Sequence, residues 1–147
     1  MSSLSAKFNK AYGADATEMK VLAASPIEIV ILLYEGAMTA LQQAELAIEI
    51  GDIPRKINRL NRAMDIIDGL GAALNHEKGG EISGNLNSLY EYMKLRLSMA
   101  NLKNDKELVK ETRLLLGDLL SAWQEIGGRK QGTQEPAVTT GGSYGRI

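Results

Sequence analysis

Behind Ser25 and Pro26 an apolar residue recurs at every third or fourth place: Ile27, Val30, Tyr34, Ala37, Leu41, Ala44 and Ile48. That period sets all of them on one face of an α-helix. Ser25 can accept a hydrogen bond from an unpaired N–H of the first turn. Pro26 suits the next place because its missing N–H would have no helical partner. The helix therefore starts at a defined point. Ile29, Leu33, Ala40 and Ala47 widen the apolar surface beyond the roughly 100° stripe of a helix packed on one side only. A helix of this kind is expected at the centre of a bundle, covered by more than one neighbour.

Three further helices follow. Gly51 is a natural C-terminal cap for the first, and Asp52 can cap the second, with Pro54 in its opening turn. Ile57, Leu60, Met64, Ile67 and Leu74 give the second helix its apolar seam, broadened by Ala63, Ile66, Leu70 and Ala73. Arg55, Lys56, Arg59 and Arg62 make its early turns basic, which reads as a solvated face, with a patch for an acidic partner as the alternative. Gly69 and Gly71 each weaken a helix interior by about 1 kcal/mol relative to alanine, which suggests a close backbone approach.

Residues 75–84 read as a loop around Gly79-Gly80. The third helix then shows two opposed apolar faces: Leu86, Tyr90, Met93, Leu97 and Ala100 on one, Tyr92, Leu95, Met99 and Leu102 on the other. A bundle core can cover one of these. The second needs the N-terminal arm, another copy of the chain, or a client protein. Asn104 and Glu107 have the spacing of a capping box for the fourth helix. That helix carries Leu108, Leu115, Leu119, Ala122 and Ile126 on one face, with Val109, Leu116, Leu120 and Trp123 beside them, and Gly127-Gly128 is expected to end it.

Residues 1–24 read as an arm or short helix that carries Phe8 and Tyr12 four apart, on one side of any helix formed there. Residues 129–147 are rich in Gly, Thr and Ser and are expected to be a disordered tail. The short connections favour an all-α, antiparallel four-helix bundle over residues 25–128.

The chemistry this chain can perform is narrow. The formal net charge of −1 gives no global attraction to nucleic acid or anionic membrane. Without cysteine there is no disulfide, thiolate metal site or cysteine nucleophile. No signal peptide or membrane span is legible, so a cytosolic chain without stable membrane insertion is the expectation. The catalytic use commonest for this architecture, a di-iron carboxylate centre, needs two Glu-x-x-His motifs. The single histidine, His76, has no Glu three residues before it. No nucleophile triad and no phosphate loop are present, so no catalysis, cofactor or metal is expected.

Ala24-Ser25-Pro26 with Leu33-Tyr34-Glu35-Gly36-Ala37 resembles the helix-one signature of the flagellin-specific export chaperones of bacteria, the FliS family. Gly79-Gly80-Glu81-Ile82, Asn85-Leu86, Leu89-Tyr90, Tyr92-Met93 and Arg96-Leu97 are similar to its loop and third helix. Ala100-Asn101, Asn104-Asp105 and Ala122-Trp123 follow in order, and Tyr12 matches an N-terminal tyrosine of the family. Glu35 stands where Asp is usual, and Ala23 where Thr is common. The resemblance implies a chaperone that binds the C-terminal segment of flagellin, prevents premature polymerisation and helps deliver it to the cytoplasmic domain of an export-gate protein. It also implies that the arm, through Phe8 and Tyr12, occupies part of the client groove in the free protein. Tyr92, Leu95, Met99 and Leu102 are then the expected flagellin-binding residues. The competing expectation is a structural bundle without a client whose spare face is covered by self-association as a homodimer.

Overall fold

A computed structural model describes residues 26–132, with side chains through 127. Within them the chain forms α1 (Pro26–Ile50), α2 (Ile53–Ala72), α3 (His76–Lys103) and α4 (Lys106–Gly132), with no strand among the described residues. The all-α bundle expected from the periodicity is the observed fold. Ser25, the arm and residues 133–147 lie outside the described residues, while residues 129–132, expected to belong to a disordered tail, continue α4.

The turns follow from local chemistry. Gly51 takes φ +78°, the left-handed conformation that stops a helix at least cost to a residue without Cβ. Asp52 then accepts from the Arg55 N–H at 3.2 Å and opens α2. At the α3–α4 turn the sequence expectation needs correction. Asn104 is not the N-cap of α4 but the left-handed C-cap of α3, at φ 55°, its N–H reaching the Ala100 carbonyl. Asp105 does the N-capping, through Oδ1 to the N–H groups of Glu107 at 2.9 Å and Leu108 at 3.4 Å.

The expected 75–84 loop is instead the kinked start of α3. Asn75 caps a first turn by accepting from the Lys78 N–H at 3.0 Å. Gly80, at φ 50° and ψ −122°, breaks the helical path, and the helix resumes beyond it. Ser83 is buried and donates to the Asn75 carbonyl at 3.1 Å, which ties the resumed helix to its own cap. The Gly79 backbone lies so close to Ser83 that a Cβ there would overlap its side chain.

Five cross-links fix an antiparallel register. Gln43 of α1 meets Arg59 of α2. Asp68 of α2 meets Lys94 of α3. Arg96 of α3 meets Glu111 of α4. Glu45 and Glu49 of α1 meet Arg113 and Lys106 of α4. Helix α1 packs most extensively on α2 and α4, and α3 on the same two from the far side, so α1 and α3 stand diagonally.

The core confirms α1 as the central helix: Leu33, Tyr34, Ala37, Ala40, Leu41, Ala44 and Ala47 are all buried. Small alanines let α2 and α4 approach closely. From α2 come Leu60, Ala63, Ile66, Ile67 and Leu70. Ile57, expected in this seam, is 40% exposed, and its neighbour Lys56 takes the inward place. The Lys56 ammonium donates to the Asn101 carbonyl at 3.1 Å and to Asn104 Oδ1 at 3.0 Å. Lys56 is therefore no part of a solvated basic face: it caps the C-terminal carbonyls of α3, where a cation meets the negative end of the helix dipole. Gly71 faces side-chain atoms of Asn87 and Tyr90 at ordinary contact distance, so no backbone approach explains it. In α4 the deepest seam is Val109, Leu116 and Trp123, while Leu108, Leu115, Leu119 and Ile126 are only half-buried. Helix α4 also runs through Gly127 to Gly132. Gly127 serves close packing rather than termination: a Cβ there would stand 3.1 Å from Ile27 Cγ2.

Candidate functional site

The two faces of α3 separate as the period requires. Leu86, Tyr90, Met93, Leu97 and Ala100 are buried against the core. On the opposite side Tyr92 is 44%, Leu95 60% and Leu102 84% exposed, with Met99 half-buried beside them. The face is apolar and unpartnered within the described bundle, and it runs for about three turns along one rigid helix. Burying a side chain such as Leu95 contributes about 1.5–3 kcal/mol, so an occupant covering several of them has a substantial driving force.

The edge of this face toward α4 is polar. Arg96 donates from Nη2 to Glu111 Oε1 at 2.8 Å, and its guanidinium carbon lies 5.6 Å from the centre of the Tyr92 ring. That hydrogen bond to the Glu111 carboxylate raises the guanidinium above the ordinary arginine value. Its Nε is buried with no hydrogen-bond partner. Arg96 thus holds the Tyr92 ring beside the α3–α4 boundary through cation–π attraction. On the α2 side Lys94 bonds Asp68 and Glu91, and those two carboxylates hold its ammonium above the usual lysine range.

This arrangement can bind apolar segments but offers no reacting constellation. His76 is exposed at the first residue of α3. Among the described residues no cluster of His, Asp and Glu is placed to hold a metal ion. Nor is any helix among them long and apolar enough to cross a membrane. Phe8 and Tyr12, the expected groove-capping residues, lie outside the described residues.

Sequence reading missed one surface. Leu46 and Ile50 of α1 are 56% and 73% exposed, and Ile53 of α2 is 43% exposed. Leu46 and Ile50 lie four apart and off the α1 seam, a spacing that was available as a signal.

The family model for "Flagellar protein FliS" matches residues 8–130. The chain belongs to the FliS family. It is 45% identical over 118 residues to the flagellar secretion chaperone FliS of Salmonella typhimurium, covering 80% of this chain and 87% of that one. With the flagellar secretion chaperone FliSB of Pseudomonas aeruginosa it shares 42% identity over 120 residues, 82% of this chain and 95% of the relative. The FliS of Vibrio cholerae is 38% identical over 117 residues, 80% and 86% of the two chains. The FliS family is one of chaperones and not of enzymes, and the family resemblance read from the motifs is thereby established.

Proposed function

We propose that this chain is a cytosolic flagellar export chaperone that binds the C-terminal region of flagellin on the outer face of α3. By covering that region it prevents premature polymerisation and helps deliver the client to the export gate. The observation that carries this reading is the unpartnered apolar row of Tyr92, Leu95 and Leu102 in a bundle whose other α3 face is closed. An amphipathic client helix would lay its apolar stripe along the row, and Met99 would adapt to its shape. The client's ordering cost is then offset by apolar burial. Catalysis has no part in this role. The arm with Phe8 and Tyr12 would compete for the same face as an intramolecular ligand.

Titration calorimetry with a flagellin C-terminal peptide tests the reading. Leu95→Asp should abolish binding while the urea midpoint stays near the parent value. Unchanged binding to that variant would remove α3 from the client site. The exposed Leu95 and Leu102 would also suit a symmetric dimer, so light scattering is read alongside: a dimer that persists with peptide present, and dissociates in Leu95→Asp, would favour self-association instead.

A further inference from the structure

Arg96 stands on the border of the outer face of α3, four residues after Tyr92 and three before Met99. Side chains at those steps are neighbours on a helix, so any segment laid along the row passes over the guanidinium as well. The group carries five N–H donors in a fixed fork and can accept nothing. Arg113, which crosses from α4 to α1, shows such a fork in fuller use: its Nε and Nη2 both donate to the Glu45 carboxylate. Arg96 engages Glu111 through Nη2, while its Nε is buried without a partner. The Arg96 side chain is 28% exposed, and that exposed part is hydrated.

An apolar client segment that covers Tyr92, Leu95 and Met99 strips this water away. Donors of a cation would then be left unsatisfied, the costliest kind of buried polar group, unless the occupant brings an acceptor. Charge decides which acceptor fits. Glu111 already neutralises Arg96, and Asp105 adds a further negative field at the guanidinium. A client carboxylate would carry a surplus negative charge into a desolvated contact, whereas an amide carbonyl accepts the same hydrogen bonds and carries none. Backbone carbonyls within a client helix are occupied by its own N–H groups, so the acceptor has to be a side chain.

We propose, resting on the reading of this face as the client site, that Arg96 is a specificity-determining residue that reads one Asn or Gln of the client. The side-chain carbonyl of that residue accepts from the guanidinium while Glu111 holds its far side. The Tyr92 ring, 5.6 Å from the guanidinium carbon, keeps the fork in place. The apolar row then supplies affinity, and Arg96 supplies register. A client helix slid by one turn, about 5.4 Å, would set a different side chain against the guanidinium and lose the bond.

The test is titration calorimetry on the full chain with a flagellin C-terminal peptide and single variants of it, each Asn or Gln replaced in turn by Leu and by Glu. One position should stand out. Leu there should weaken binding to the parent chain about tenfold or more, and hardly at all once Arg96→Met has removed the donors. Arg96→Lys, which can hold Glu111 but has no fork to span to a second acceptor, should lose the coupling in the same way. Glu at that position should bind the parent chain more weakly than the amide does. Glu111→Gln should reverse this order, because the guanidinium then has its charge free for the client, and the reversed preference should fade as salt rises. The absence of any coupled position, or a Glu peptide that outbinds the amide peptide on the parent chain, would overturn the proposal. Leu95→Asp separates the two levels: binding abolished there with no position coupled to Arg96 removes the role of Arg96 and keeps the client face, whereas unchanged binding removes both.

Discussion

The hydroxyls of Tyr34 and Tyr90, 56 residues apart in sequence, meet at 2.7 Å in the centre of the bundle. Their rings stand edge to face, with centroids 6.5 Å apart and planes at 63°. Both side chains are buried, so each hydroxyl satisfies the other and couples α1 to α3 across the diagonal. The Trp123 indole N–H lies near Tyr34 without completing a hydrogen bond. Tyr34→Phe or Tyr90→Phe alone should cost about 1–3 kcal/mol, because one buried hydroxyl loses its partner, whereas the double change should be close to neutral. A double-mutant cycle by urea unfolding measures this. Additive losses would mean that the hydroxyls do not depend on each other.

The same pair sets an alkaline limit. Burial pushes both phenols above the ordinary value of 10.0, for Tyr90 with a further rise from its Tyr34 neighbour. A phenol raised in the folded state contributes stability that is complete below its unfolded value and is lost as pH rises through the folded one. Wild type should therefore weaken progressively above about pH 10, and the double Phe variant less steeply. Unfolding midpoints from pH 9 to pH 11 compare the two slopes.

Helix number, order and the central place of α1 were legible because apolar period is a direct record of burial. The opposed faces of α3 were legible for the same reason, since two stripes about 200° apart cannot share one core. What period could not show was which polar residue would turn inward. Lys56 occupies a place that pattern alone would give to Ile57, because the carbonyls at the end of α3, remote in sequence, need a donor there. Gly127 looked like a stop signal because its packing reason, Ile27, lies a hundred residues away.

Lys56→Met keeps the aliphatic stem and removes both hydrogen bonds to Asn101 and Asn104. The change should cost about 1–3 kcal/mol, most of it from acceptors left without their donor. Amide exchange should quicken in the last turn of α3 and around Asp105 while the first turns of α1 stay protected. Uniform loss of protection would argue against a local cap.

Gly117 and Gly127 both sit inside α4 and differ in what an added methyl would meet. At Gly117 the nearest atom is Met38 Cε, 3.4 Å away and at the end of a flexible side chain. Gly117→Ala should stabilise by about 0.5–1 kcal/mol through helix propensity alone. At Gly127 the neighbour is the β-branched Ile27, only 3.1 Å away, and such side chains yield poorly. Gly127→Ala should gain less than Gly117→Ala, as thermal midpoints of the two variants would register.

Leu95 and Leu97 stand two residues apart on α3 and are 60% and 0% exposed. Two residues of helix turn the side chain by about 200°, so the same chemical change at either site probes opposite sides of one rod. An aspartate at 97 would place a carboxylate among core side chains with no partner, a cost that commonly exceeds 4 kcal/mol, roughly the whole stability of a marginal domain. The Leu97→Asp chain should therefore fail to fold at room temperature. An aspartate at 95 meets solvent already, and its cost should stay below about 1 kcal/mol. Circular dichroism melts of the two variants give the comparison. Equal destabilisation would mean that the outer face of α3 is packed in the free protein, leaving no open surface there for a client to bind.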